Sequence, residues 1–140
     1  MKNAPKILLV EDDEDDLFLT ARILRKAGIA DVYRVGDGRT ALEYLSGFGP
    51  FAHRELHPLP DVVLIDLKIP EINGHKVLEW IGNRAELSAL RCYVLSSSGE
   101  QRDRERACAS GIAGYFVKPL TADDITAIQA DLAAGSTVEA

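Results

Sequence analysis

Five polar side chains stand at the ends of short apolar runs. Glu11 and Asp12 follow Ile7-Leu8-Leu9-Val10, and Asp66 follows Val62-Val63-Leu64-Ile65. Ser96 closes Tyr93-Val94-Leu95, and Lys118, with Pro119 behind it, follows Tyr115-Phe116-Val117. If these runs are neighbouring strands, three acids, a hydroxyl and an ammonium meet at one edge of a sheet. Carboxylates crowded this way repel one another unless a cation joins them. Hard oxygen donors suit Mg2+, which keeps several waters and accepts phosphate oxygens as partners. Such a site would hold a phosphoryl group beside a carboxylate nucleophile. Asp66 is the best candidate for that nucleophile, because it follows four apolar residues and sits centrally. Transfer of a phosphoryl group to a carboxylate needs positioning and charge neutralisation more than proton transfer. Lys118 and the metal would neutralise the phosphoryl oxygens, and the Ser96 hydroxyl would donate to one of them.

The elements needed to position these groups are visible in the patterning. The four runs above, with Val32-Tyr33-Arg34-Val35, read as five strands. Amphipathic stretches at residues 14–27, 37–45, 73–81, 101–110 and 121–133 read as five helices. Gly28 and Gly111 stop the first and fourth. Thr121 caps the fifth, whose stripe is Ile125, Ile128 and Leu132. Strands alternating with helices predict an α/β fold with a parallel sheet covered on both faces. In a doubly wound sheet ligands bind beyond the carboxyl ends of the strands, which is where the five polar residues fall. Residues 49–60, with three prolines, read as a long loop. A single domain over residues 1–140 is expected, with its core at 6–132 and a short tail at 134–140.

Charge and composition narrow the function classes. The chain of 140 residues carries a net charge of -6. Six consecutive acids occupy residues 11–16; without them 16 of the 22 acids remain against 16 bases. The imbalance is therefore a local feature. No apolar run is long enough to cross a membrane, no signal segment is evident and no basic cluster points to DNA. Cys92 and Cys108 lack metal or redox spacing and read as buried small hydrophobes in a reducing cytoplasm. His53 and His57 lack a third ligand nearby, and His75 reads as a surface position on its helix. Asp13 to Asp16 read as the acidic first turn of a helix. The first helix carries more apolar residues (Leu17, Phe18, Leu19, Ala21, Ile23, Leu24) than one core-facing stripe needs, which suggests a partner surface. The fourth helix, rich in arginine, reads as solvated.

The sequence resembles a response-regulator receiver domain, the aspartate-phosphorylated half of two-component signalling. The matching residues are Ile7 to Asp13, Asp37-Gly38, Val62 to Asp66 with Pro70 and Gly74, Val94-Leu95-Ser96, Gly111, Tyr115 and Lys118-Pro119, spanning roughly residues 6–132. The long loop, the Val-Glu-Asp-Asp start and the Ser-Ser-Ser-Gly turn look most like single-domain regulators paired with phytochrome-type kinases. The resemblance implies a flavodoxin-like, doubly wound five-stranded sheet in the order 2-1-3-4-5. It implies that Asp66 accepts a phosphoryl group from a sensor histidine kinase or histidine phosphotransfer protein. Asp12 and Asp66 would bind Mg2+ directly, with Glu11 through water and the Lys68 backbone carbonyl as a third protein ligand. Ser96 and Tyr115 would take the switch positions, Lys118 would pair with the phosphoryl group, and the Lys118–Pro119 bond would be cis. Lys68 and Ser98 occupy the positions that tune access of attacking water. Such a regulator is not an enzyme beyond its own phosphorylation and dephosphorylation. It would switch binding to a downstream protein target or shuttle the phosphoryl group, docking the kinase by its first helix. Its fourth helix, fifth strand and fifth helix would form an output face, through which a homodimer is an open expectation. A haloacid-dehalogenase-like phosphohydrolase is disfavoured, since it would place the nucleophile after the first strand in an Asp-x-Asp pair. An unphosphorylated scaffold is disfavoured by the intact set of five polar residues.

Overall fold

Runs of four β-branched and aliphatic residues form strands because their side chains pack well on a pleated surface buried from both sides. The structure is a computed structural model describing residues 5–139, with side chains described to residue 134. Its strands are β1 (Ile7–Val10), β2 (Val32–Val35), β3 (Val62–Ile65), β4 (Arg91–Ser96) and β5 (Gly114–Val117). They pair in parallel in the order β2-β1-β3-β4-β5. β1 and β3 are buried along their whole length.

Five helices cover the sheet: α1 (Glu14–Lys26), α2 (Gly38–Ser46), α3 (Gly74–Gly82), α4 (Gln101–Ala109) and α5 (Ala122–Glu139). Alternate strand residues serve the two faces. Leu8, Val10, Val63 and Ile65 pack with α2, α3 and the buried Ala107 of α4. Ile7, Leu9, Val62 and Leu64 pack with Leu24 of α1 and with Ile125 and Ile128 of α5. Three helix starts are capped by short acidic or amide side chains. Asp13 accepts from the Asp16 N–H, Asp37 from Thr40 and Asn73 from Lys76, at 2.9, 2.7 and 3.0 Å. Each satisfies an amide that the helix leaves unpaired. Asp37 and Asn73 were expected inside their helices and stand just before them. At α5 Thr121 and Asp124 cap each other reciprocally.

Three further expectations are corrected. The tail expected at residues 134–140 continues the fifth helix to Glu139. The Ala-Asp-Leu-Ala-Ala stretch favours helix, no proline interrupts it, and Gly135 alone costs about 1 kcal/mol. Cys92 is buried, and burial pushes its thiol up to about 12, but Cys108 lies exposed on α4. That helix has a single buried residue, so most of its positions face solvent. The 49–60 segment begins with a short 3-10 helix at Gly49–Ala52 and is anchored rather than open. The Arg54 guanidinium donates to the carbonyls of Tyr44, Leu45 and His57 at 2.8, 3.0 and 3.1 Å. The Tyr44 hydroxyl donates to the Pro58 carbonyl at 2.8 Å. Residues 1–4 and 140 of the expected domain lie outside the described residues.

Candidate functional site

The register of the three central strands brings the acids together. Val10 lies opposite Ile65 across the β1–β3 pair, so Glu11 and Asp66 leave the sheet side by side. The Asp66 N–H donates to the Val10 carbonyl at 3.1 Å, and the Glu11 N–H donates to Val35 at 3.1 Å. On the other side Ser96 lies opposite Val117, and the Lys118 N–H donates to the Ser96 carbonyl at 2.8 Å. The Lys118–Pro119 bond is cis. Gly74 closes the floor: a Cβ on it would meet the Asp66 carbonyl oxygen at 2.5 Å, so only glycine lets α3 start this near the acid. Gly38 is held the same way, because a Cβ there would stand 1.8 Å from the Ile72 carbonyl oxygen.

The cation that joins the carboxylates in this arrangement is the lysine. Lys118 Nζ lies 2.7 Å from Glu11 Oε1, from Asp16 Oδ2 and from Asp66 Oδ2. An ammonium has three N–H groups, and each has one carboxylate oxygen. Burial alone would lower the Lys118 pKa; hydrogen bonds to Asp16, Asp66 and Glu11 outweigh it and hold the ammonium above its ordinary range. Burial raises the Glu11 carboxyl, offset in part by Lys118 and by the Asp13 N–H that donates to Oε2 at 3.1 Å. The other Asp66 oxygen, Oδ1, accepts from the Lys68 N–H at 3.1 Å. Asp66 and Glu11 are buried; Asp12 and the Lys68 residue are exposed.

Asp16 was missed as a site residue. In the sequence it is one of four acids at a helix start, and nothing in its local spacing distinguishes it. Only the packing of α1 over the sheet brings it to a lysine 102 residues away. His75 was misread. It is 7% exposed, and its Nε2 faces Asp103 Oδ1 of α4 at 3.3 Å. The signal was Leu78, three residues on and so on the same helix face, which is buried.

Ser96 is fully buried, and its Oγ accepts from the Ser98 N–H at 3.2 Å. The Tyr115 hydroxyl donates to the Ser98 carbonyl at 2.7 Å, with the Arg104 guanidinium 4.6 Å over the ring. Burial, then the charge of Asp103, raises the Tyr115 pKa. The structure thus brings Glu11, Asp66 and Lys118 into direct contact, with Asp16 added. It ties Ser96 at the end of β4 and Tyr115 of β5 to each other through Ser98 on the adjoining loop. Asp12 and Lys68 flank Glu11 and Asp66 in sequence.

Among the described residues no three His, Cys, Asp or Glu side chains stand as a ready-made metal cage. Mg2+ does not require one, since one or two carboxylates with a carbonyl and waters suffice. The donors here are all hard oxygens, and Asp12 is open to solvent, so the chemistry of the set fits such an ion. Elsewhere, the apolar surplus of α1 is exposed at Phe18 and Leu19. Arg22, Arg25 and Lys26 of α1, with Arg34 of β2, line one concavity of about 510 Å³ beside Phe18. No helix among the described residues is long and apolar enough to cross a membrane.

The model of the response regulator receiver domain family matches residues 7–130. Among solved structures, the chain is 38% identical to the bacteriophytochrome response regulator RtBRR, covering 93% of this chain and 78% of that one with a TM-score of 0.79. It is 30% identical to the phosphorylated cyanobacterial phytochrome response regulator RcpA, covering 91% and 88% with a TM-score of 0.76. It is 28% identical to the Mn2+-bound form of response regulator Rcp1, covering 86% and 85% with a TM-score of 0.74.

Proposed function

The chain belongs to the response regulator receiver domain family, and from that premise we propose that it is a single-domain response regulator phosphorylated on Asp66. The donor is a sensor histidine kinase, of phytochrome type, or a histidine phosphotransfer protein in the cytoplasm. The observation that carries this reading is the environment of Asp66: a buried carboxylate just beyond the central strand with one oxygen on the Lys118 ammonium. A buried acid that needed no chemistry would be costly to keep there.

In the transfer, an Asp66 carboxylate oxygen attacks the phosphorus of a phosphohistidine. The P–N bond breaks as the O–P bond forms, and the imidazole leaves with the electron pair and takes a proton. Lys118 gives one of its N–H groups to a phosphoryl oxygen in place of the Asp66 oxygen it now holds. Ser96, whose hydroxyl hydrogen is free to turn while Oγ accepts from Ser98, donates to another. Tyr115, tied to Ser98, is placed to move with that loop, which makes the loop a two-state element biased by a local charge. Asp12 and Asp66, with Glu11 and the Lys68 carbonyl beside them, would hold Mg2+. When bound, that ion offsets the charge that gathers on the phosphoryl oxygens. The relatives described as phosphorylated and as Mn2+-bound support both parts of this reading. The protein makes no metabolic product; its output is a change in binding to a downstream protein.

Incubation with acetyl phosphate and Mg2+, followed by intact mass, tests the reading. Wild type is expected to gain one phosphoryl group and Asp66→Asn none. Wild type that gains none from acetyl phosphate or from a kinase sinks the proposal.

A further inference from the structure

Beyond the acceptor site, one side-chain network, buried at His75 and partly exposed at Ser98 and Asp103, has no assigned task. The Ser98 hydroxyl donates to Asp103 Oδ2 at 2.9 Å and accepts from the Glu100 N–H at 3.3 Å. The other Asp103 oxygen faces His75 Nε2 at 3.3 Å. Ser98 also donates its N–H to Ser96 Oγ and accepts the Tyr115 hydroxyl on its carbonyl. Every polar group of Ser98 is therefore engaged, and Asp103 holds its hydroxyl. A carboxylate has no proton to give, so His75 Nε2 carries the hydrogen of the His75–Asp103 contact. His75 Nδ1 is buried and has no hydrogen-bond partner among the described residues. A bare lone pair there is tolerated better than an unmet N–H, which again selects the Nε2–H tautomer.

We propose that Asp103, oriented by the buried His75 imidazole, is a positioning residue that keeps the Ser98 hydroxyl from assisting water attack on phosphorylated Asp66. The inference rests on the reading of Asp66 as phosphoryl acceptor. Two helices that carry none of the acceptor groups, α3 and α4, thereby set how long the signal lasts. Ser98 is short and polar; released from Asp103, its hydroxyl becomes free to orient water. Its backbone also becomes free to drift from Ser96 and Tyr115. The charge on Asp103 matters as much as its shape. The Ser98 hydroxyl and then the His75 ring hold its carboxyl below the usual carboxylate range, so it is ionised and accepts strongly.

The test uses the full chain and three readouts. Amide hydrogen exchange over residues 96–100 is measured on the unphosphorylated protein, decay of the phosphoryl adduct by intact mass, and the His75 tautomer by long-range 1H–15N spectra. Asp103→Ala is expected to raise loop exchange about tenfold, the share of one hydrogen bond to a charged group, and to shorten adduct lifetime by a similar factor. His75→Leu removes the unpartnered Nδ1, so global stability should hold or rise while the loop still loosens and the lifetime still falls. A merely structural role would move loop and stability together. His75→Gln keeps an N–H donor and should restore both loop and lifetime toward wild type. Should Asp103→Ala fail to fold, Asp103→Asn, which keeps an oxygen acceptor without the charge, is expected to give an intermediate lifetime. Unchanged exchange in Asp103→Ala and His75→Leu overturns the proposal, as does a loosened loop with an unchanged lifetime, or an Nδ1–H tautomer. If wild type takes up no phosphoryl group, the role of Asp66 has failed, and the exchange and tautomer arms still judge the positioning alone.

Discussion

Two cations in this molecule each hold three oxygens, and they do opposite things. Lys118 holds three carboxylate oxygens from Glu11, Asp16 and Asp66, all at 2.7 Å. Arg54 holds three backbone carbonyl oxygens from Tyr44, Leu45 and His57, at 2.8 to 3.1 Å. The carbonyls cannot leave; two of them end α2, where the helix dipole welcomes a cation. The planar guanidinium fork fits them, and Tyr44 packs against it, its ring centre 5.8 Å from the guanidinium carbon. Arg54 is thus a staple that closes the loop before β3. The lysine's partners are charges in excess of its own. Three acids against one ammonium leave a net negative corner, ready to exchange partners when a metal ion or phosphoryl group arrives. A compact ammonium with three rotatable donors suits exchange as a rigid fork suits fixation.

The contrast can be broken from either side. The largest effect is expected for Lys118→Ala: uptake from acetyl phosphate should fall about a hundredfold or more, the usual loss of one preorganised donor. Initial rates by intact mass check this. Its stability should fall by only about 1–3 kcal/mol in urea, because Asp16 is 41% exposed and water reaches the corner. Arg54→Ala should do the reverse, with uptake within about twofold of wild type and unfolding free energy lowered by about 2–3 kcal/mol. Arg54→Lys should recover little, since a point charge cannot serve three carbonyls.

Alkaline pH strikes both regions at once. The Lys118 pKa is raised in the fold, so its contribution is complete below its ordinary 10.5 and is lost as pH rises through the folded value. Burial pushes the Tyr44 hydroxyl up from 10.0 to about 12, so the unfolded chain ionises first and stability falls across that window. The urea midpoint should therefore drop steadily from about pH 10 upward, and Tyr44→Phe should flatten the slope. The smallest effect is expected for Asp16→Asn. Losing one charge near the acceptor should speed uptake of the anionic donor about two- to threefold at low salt, and half-molar salt should erase the gain. An effect that survives salt would mean that Asp16 acts by holding the lysine in place rather than by its charge.

Legibility in the sequence followed the range of the interactions. The strands were readable because each is a contiguous apolar run, and Glu11, Asp66, Ser96 and Lys118 because each closes one. Strand order came from the family pattern, since the periodicity of a strand says nothing about its neighbour. Asp16 was not readable, because its contact depends on how α1 lies on the sheet. His75 was readable in principle from its spacing to Leu78, but a polar type on an amphipathic helix argued for the surface. Cys108 was placed inside by its type alone, although α4 is too polar to bury more than one face. The fifth helix overran its expected end because nothing in residues 134–139 is a strong stop, and a lone glycine is a weak one.

The sequence separation of 102 between Asp16 and Lys118 also bears on the order in which the molecule is made. Synthesis delivers the acidic corner, at β1 and the start of α1, well before its counter-charge, which follows β5. A nascent chain therefore carries Glu11 and Asp16, and later Asp66, with no lysine to join them until β5 has emerged. Closing so long a loop is slow relative to forming local helices. Chains truncated before residue 118 would keep the mutual repulsion and lack its remedy. In the cell such fragments should be disposed of by proteases sooner than their apolar content alone would suggest.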